Sequence, residues 1–376
     1  MNKREFLRTL GLGGAALAAR GLVPSVSSLF AGTSEKKKKY WAWLSTDPSP
    51  SPEEWKRRFA LMRASGLNAV LPEIYNSRQA YYQSQHLPVA EQWLEKILPL
   101  AKAEGLEVHS WMWSVPCNIE QVRTSHPEWF CVDRNGDSIL DKTPYVPWYR
   151  FMCPSHPGVH EFIRTTVEEL CGYPALDGIH FDYIRYPDVI LPVRLQPKYG
   201  LTQDREEPQF DYCYCDLCRD DFLKQSGTDI RTVTDPPSNG EWRQFRYDRI
   251  THLVNDTLIP VVHAHKKIAS AAVFPNWEMV RQEWSVWNLD AVLPMLYHRF
   301  YDGGIDWIGA QTKKGVESLQ GRVPLYSGLM VPQLRLEELP LAIETSLSNG
   351  AQGVVLFTAQ SMTEEHWKVF SRAIAQ

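Results

Sequence analysis

The sequence predicts a (β/α)8 TIM barrel with an extended loop insertion after strand four. Three observations lead there. From Tyr40 onward, runs rich in Val, Ile and Leu alternate eight times with stretches of helical spacing. Strands of that composition suit a parallel sheet covered by helices on its outer face. No G-x-G-x-x-G follows the first strand, which argues against an open, dinucleotide-binding sheet. The fourth strand also ends on an acid, where barrels of this kind keep their chemistry.

The strands are read at 40–45 (YWAWLS), 67–75 (LNAVLPEIY), 106–115 (LEVHSWMWSV) and 176–184 (LDGIHFDYI). They continue at 267–274 (KIASAAVF), 289–297 (LDAVLPMLY), 323–331 (VPLYSGLMV) and 350–359 (GAQGVVLFTA). The first helix, 51–66, opens on Ser-Pro-Glu-Glu, a cap followed by an acidic first turn, and closes on Gly66. Segment 91–105 also closes on Gly, 156–170 starts the next helix, 241–265 is the longest, and 363–376 ends the chain. Segment 187–240, rich in Pro, Asp and Gln, follows a strand end. It therefore belongs to the active face as a lid or a cleft wall.

Ahead of the barrel (40–376), residues 1–31 have the layout of an export signal. Lys3 and Arg4 precede an apolar Leu10–Ala19 run and small residues up to Ala31. The stretch resembles a twin-arginine signal with Lys3 in place of the first Arg. It is too short and Gly-rich for a membrane span, so the expected location is periplasmic or extracellular, with no stable span once the signal is removed. Residues 32–39 (GTSEKKKK) read as a solvated linker. A net charge of −4 with 22% charged residues excludes nucleic acid and anionic membranes as obvious partners. Fourteen Trp and sixteen Tyr exceed what a core needs, and the surplus suggests flat faces for stacking sugars.

Side chains alternate along a strand, so His180 and Asp182 share a face of LDGIHFDYIRYP. Extending that parity around the barrel brings in Trp41 or Trp43, Glu73 and Tyr75, and His109, Trp111 and Trp113. It also brings in Asn276 after strand five, Met295 and Tyr297 on strand six, and Gln360 after strand eight. Carboxylates, imidazoles and indoles without a phosphate-gripping loop describe a sugar site. Glycoside hydrolysis needs one acid to protonate the leaving oxygen and a second carboxylate as nucleophile or base. Asp182 takes one role, with Glu73 or Glu283 as its partner, and catalysis needs no cofactor. The competing readings are structural: an Asp182–Arg185 ion pair, a hydrogen-bonded Glu73, and His109 and His180 as interior layer residues. The alternative function is a glycan-binding barrel in which no second carboxylate faces Asp182.

Cys213, Cys215 and Cys218 stand at C-x-C-x-x-C spacing, which ligates zinc once a fourth ligand, Cys117 or Cys153, is supplied. Such a zinc would be structural, because an all-thiolate site has no open position for water. A disulfide with an odd thiol left over, or cysteines without any ligand, are the other readings. The HAH pair, His263 and His265, ends a helix on the face opposite the mouth and reads as surface. Ser110 and Ser327 lack the glycines of a nucleophile elbow.

Five stretches (LEVHSWMW, CPSHPGVHEFI, DGIHFDYIRYP, residues 282–297 and GAQGVVLFTA) resemble the family-10-like glycosyl hydrolases, a group with exported bacterial members. The resemblance spans nearly all of 40–370 and implies a (β/α)8 barrel that hydrolyses glycans, for some relatives peptidoglycan strands stripped of peptides. It implies Asp182 as the catalytic carboxylate and Arg185, His109, Trp111 and Tyr297 as cleft residues. Strand two (LPEIYN) and Glu283 depart from the family's pattern. DGIHFDYI also resembles the D-x-x-D-x-D-x-E strand of family 18 chitinases, but Ile184 replaces the essential Glu and removes that chemistry. The cysteine cluster is similar to one that closes a structural zinc site in family 42 β-galactosidases.

Overall fold

The structure is a computed structural model that describes residues 38–375. The export signal and nearly all of the linker read from the sequence lie outside the described residues. Eight parallel strands follow the order β6-β5-β4-β3-β2-β1-β8-β7. They are β1 (Lys39–Leu44), β2 (Ala69–Tyr75), β3 (Glu107–Trp113), β4 (Gly178–Asp182), β5 (Ile268–Val273), β6 (Ala291–Pro294), β7 (Tyr326–Met330) and β8 (Gly353–Phe357). Parallel bridges Val292–Leu325 and Met295–Gly328 nearly close the seam between β6 and β7. Gly328 belongs there because a Cβ would stand 2.7 Å from the Pro294 carbonyl oxygen.

The outer helices are α1 (Pro52–Ala64), α2 (Trp93–Ala103), α3 (Glu120–Ser125), α4 (Pro157–Cys171) and α5 (Asp216–Ser226). They continue as α6 (Gly240–His252), α7 (Ile259–Ala264), α8 (Ile305–Leu319), α9 (Glu338–Ser348) and α10 (Glu364–Ile374). The Ser51 hydroxyl accepts the Glu54 N–H at 3.2 Å and Pro52 occupies the first turn, so α1 starts as its sequence requires. The long helix expected at 241–265 is one helical run whose middle, Leu253–Leu258, widens into π geometry. Short α3 and α5 lie in two long excursions from the barrel, 114–156 after β3 and 183–239 after β4. Among the described residues no helix is long and apolar enough to cross a membrane.

Inside the barrel, Trp41, Trp43, Ala69, Leu71, Trp111, Leu293, Tyr326 and Val355 form one packed cluster. Trp41 stacks on His109 with ring centres 4.5 Å apart, and Trp43 Nε1 donates to His180 Nε2 at 2.9 Å. Gly178 makes room for this plug, since a Cβ there would lie 2.2 Å from His109 Nδ1. One parity expectation fails. The β2–β3 register shifts between Glu73 and Tyr75, and this irregularity sends Tyr75 into the helix-facing core with Ala80 and Tyr82. Glu73, just before the shift, keeps its inward direction.

Candidate active site

Strand β3 lies between β2 and β4, and its last two inward side chains reach to both neighbours. Trp111 Nε1 donates to Asp182 Oδ2 at 3.0 Å, and Trp113 Nε1 donates to Glu73 Oε1 at 2.7 Å. Two indoles of one strand therefore hold two carboxylates at the barrel mouth. Asp182, the final residue of β4, also accepts the Tyr183 N–H on Oδ1 at 2.6 Å. Tyr183 has φ of 50°, a left-handed conformation that an aromatic residue adopts only when its surroundings impose it. The Thr46 hydroxyl lies 2.6 Å from the Glu73 carbonyl oxygen and 3.1 Å from Glu73 Oε2.

Burial pushes the Asp182 carboxyl up to about 6, and the charge of Glu73 adds to the shift. The Tyr183 N–H, Arg185 and Trp111 oppose it. Burial also raises Glu73, against hydrogen bonds from Thr46 and Trp113. Arg185 does not form the ion pair with Asp182 that the sequence allowed. Its Nη1 bonds Asp188 Oδ2 at 3.0 Å with both side chains buried, and its guanidinium packs over Tyr183 and Phe274. Asp182 therefore sits in a low-dielectric site without a cation bonded to it, which is why burial dominates its ionisation.

The pair opens into a cavity of about 420 Å³ at the carboxyl ends of the strands. Tyr145, Trp148 and Tyr149 from the β3 excursion wall one side, and Leu191, Leu195 and Tyr199 from the β4 insertion wall another. Tyr297 and Phe357 complete the rim near the acids. The Tyr297 phenol oxygen is buried and has no hydrogen-bond partner. Burial first, and then Asp182, push its ionisation well above the usual range, so it is a neutral donor. A larger cleft of about 1110 Å³ lies among Arg134, Arg205, Glu206 and Arg231. Three acids line it, Glu206, Glu207 and Asp235, of which Glu206 pairs with Arg281, while the two raised carboxylates Asp182 and Glu73 both line the smaller cavity.

Of the residues chosen from the sequence, the cavity gathers Asp182, Glu73, Trp111, Trp113, Arg185, Met295 and Tyr297. Besides Tyr75 and the interior Trp41 and Trp43, Gln360 lies apart, with its side chain on the Ser45 backbone, and so do four proposed catalytic or substrate residues. Glu283 accepts a hydrogen bond from Gln244 of α6 at 3.1 Å, on the helical side of the strand-five loop. Asn276 opens the turn at Trp277–Val280, and its carbonyl oxygen accepts the Met279 N–H at 3.1 Å. His109 is sealed against Trp41 deep in the barrel, with Nε2 3.5 Å from Glu107 at the start of β3. His180 pairs with Ser270 Oγ at 2.9 Å as well as with Trp43, and burial drives its pKa well below the usual value, so it stays neutral. The HAH pair lies on the surface, where His263 meets Asp290. Tyr145, Trp148 and Tyr149 were missed; the aromatic run YVPWYRF at 145–151 was their available signal.

The four sulfurs of Cys153, Cys213, Cys215 and Cys218 lie within 4.8 Å of one another. The structure thus selects Cys153 as fourth member and leaves Cys117 apart, its N–H bonded to the Arg150 carbonyl oxygen. Cys153 Sγ is 3.4 Å from Cys218 Sγ and 3.6 Å from Cys215 Sγ. Those separations exceed a disulfide bond of about 2.05 Å. They approach the edge of about 3.8 Å of a tetrahedron built on Zn–S bonds of about 2.3 Å. All seven cysteines are free. The donor set fits a soft tetrahedral metal such as zinc, held by four thiolates with no position open for water.

A family model described as glycosyl hydrolase-like 10 matches residues 40–334. No curated protein matches the chain. Among solved structures it is similar to a β-galactosidase from the psychrophilic Marinomonas ef1, with a TM-score of 0.63 and 12% identity over 90% of this chain and 59% of that one. It is also similar to the catalytic domain of a β-amylase from Paenibacillus polymyxa, with a TM-score of 0.62 and 9% identity over 89% of this chain and 97% of that one. A β-galactosidase from the Antarctic haloarchaeon Halorubrum lacusprofundi gives 0.62 and 14%, over 89% and 57%. The chain thus spans less than two thirds of either galactosidase, and at these identities the likeness is one of fold alone.

Proposed function

The chain belongs to the glycosyl hydrolase-like 10 family, and from that premise we propose that it hydrolyses O-glycosidic bonds of a polysaccharide or glycan strand through Asp182 and Glu73. The observation that carries this is the crossed pairing of the two carboxylates to Trp111 and Trp113 in one cavity. A barrel that only bound glycans would need no second carboxylate beside Asp182.

Charge divides the roles. Asp182 accepts from two N–H groups, and Glu73 accepts from Trp113 Nε1 and the Thr46 hydroxyl, so donors alone do not separate them. The Arg185 charge favours an ionised Asp182, whereas only hydrogen bonds oppose the rise that burial gives Glu73. The proton of the pair therefore belongs on Glu73. In the reaction Glu73 gives it to the glycosidic oxygen as the C–O bond breaks. Asp182 attacks the anomeric carbon as nucleophile, or takes a proton from the attacking water as base. Retained product configuration marks the first course and inverted configuration the second.

Cys153, Cys213, Cys215 and Cys218 would hold a structural zinc that ties the β3 excursion to the β4 insertion and takes no part in the reaction. The amino-terminal sequence supports delivery to the periplasm or outside the cell. The test is a screen of the purified protein against soluble polysaccharides and peptide-free peptidoglycan, with Asp182→Asn alongside. Release of reducing ends by the parent and none by the variant is the expected result. Undiminished hydrolysis by the variant would sink the assignment.

A further inference from the structure

Fourteen tryptophans suggested sugar-stacking faces, yet thirteen of them are buried or half-buried in the fold. Trp148 alone is exposed, at 40%, and it stands at the mouth of the catalytic cavity. Its backbone is fastened on several sides. The Trp148 carbonyl oxygen accepts Asn118 Nδ2 at 2.9 Å, and Asn118 is held by Ser77 Oγ at 3.0 Å and Arg150 Nη1 at 2.9 Å. On either side, the Tyr145 and Tyr149 hydroxyls donate to Asp188, at 2.8 Å to its carbonyl oxygen and 3.2 Å to its carboxylate. A segment so fixed has little backbone freedom left to lose when a ligand covers its indole. Among the described residues the most exposed large apolar one, Val193 at 54%, directly follows Pro192, which lines the same cavity.

The cavity, at about 420 Å³, is of a size that encloses a small ligand. A longer strand must leave it across the rim. We propose that Trp148 is the stacking platform for a sugar unit at the cavity mouth, beyond the unit held at the acids, which makes strands of several units, rather than disaccharides, the substrate class. The proposal deepens the glycosidase reading and rests on it. An exposed indole on the apolar face of a sugar ring contributes about three- to tenfold in affinity.

Calorimetry in the Asp182→Asn background separates binding from turnover. The probes are N-acetylglucosamine oligomers, cello-oligomers and peptide-free peptidoglycan fragments, each graded from two to six sugars. Affinity should rise with length. Adding Trp148→Ala should cost about three- to tenfold at six sugars and less at two, and Trp148→Tyr should restore most of the loss. An equal loss at every length, or none, overturns the platform. Length-graded binding without hydrolysis by the parent protein overturns the glycosidase reading and leaves the platform standing. No binding to any probe overturns both.

Discussion

The inner and outer parts of the barrel carry polar side chains on the same strands and with the same inward parity, yet they have different chemistry. Two positions separate His180 from Asp182 on β4. His180 is enclosed by Trp43 and Ser270, is fully buried and stays neutral. Asp182 has fixed donors on both oxygens but opens into the cavity, with Glu73 close enough for its charge to raise the Asp182 pKa. Inward direction alone is therefore a packing property. It becomes a reactive one where the layers of side chains end and a second titratable group shares the space.

The largest effect that tests this contrast is on turnover. Glu73→Gln should lower kcat by about 10²–10⁴-fold on any substrate that needs leaving-group protonation, while the melting curve stays close to the parent's. His180→Ala should do the reverse. Trp43 Nε1 would lose its acceptor, costing about 1–3 kcal/mol in denaturant unfolding, while kcat/KM per folded molecule stays near the parent's. If the histidine variant loses activity without losing stability, the contrast fails.

The next effect is on pH-dependent stability. Asp182 titrates near 6 in the folded protein, against an ordinary value near 3.8. Between those values the native state keeps a proton that the unfolded chain releases, so stability falls as pH rises from about 4 to about 6 and is flat above. The parent should lose about 3 kcal/mol across that window, relative to Asp182→Asn. Parallel unfolding curves for the two proteins would show that Asp182 is not raised. The same ionisation sets the acid side of the rate profile, and kcat/KM should drop as pH falls through about 6.

The smallest effect sharpens the outer region. Tyr297→Phe removes a buried hydroxyl that has no partner in the free protein. Stability should hold or rise by about 1 kcal/mol, while kcat/KM falls about tenfold because a substrate hydrogen bond is lost. A stability loss with unchanged kcat/KM would assign the phenol a structural role.

Some of this was readable in the chain. Strand alternation, the Ser51–Pro52 helix start and the inward face of β4 are local properties, set by neighbours a few residues apart, and they placed Asp182, Glu73, Trp111 and Trp113 on the inner surface. Tyr75 escaped because one irregularity in the β2–β3 ladder reverses parity without leaving a mark in composition. Glu283 failed because a loop after a strand can turn toward the helices as easily as toward the mouth.

Other choices needed long-range contacts. Cys117 and Cys153 are equally plausible partners for the C-x-C-x-x-C run in one dimension. Only folding of the β3 excursion against the β4 insertion puts Cys153 Sγ beside Cys218. The same folding raises the aromatic wall of the cavity and leaves one indole exposed of fourteen. Short-range patterning therefore set the repeating units and the identity of the acid at the end of β4. Its partner, its raised pKa and its surroundings came from the folded barrel. Those depend on barrel closure and burial, which bring together residues far apart in the chain.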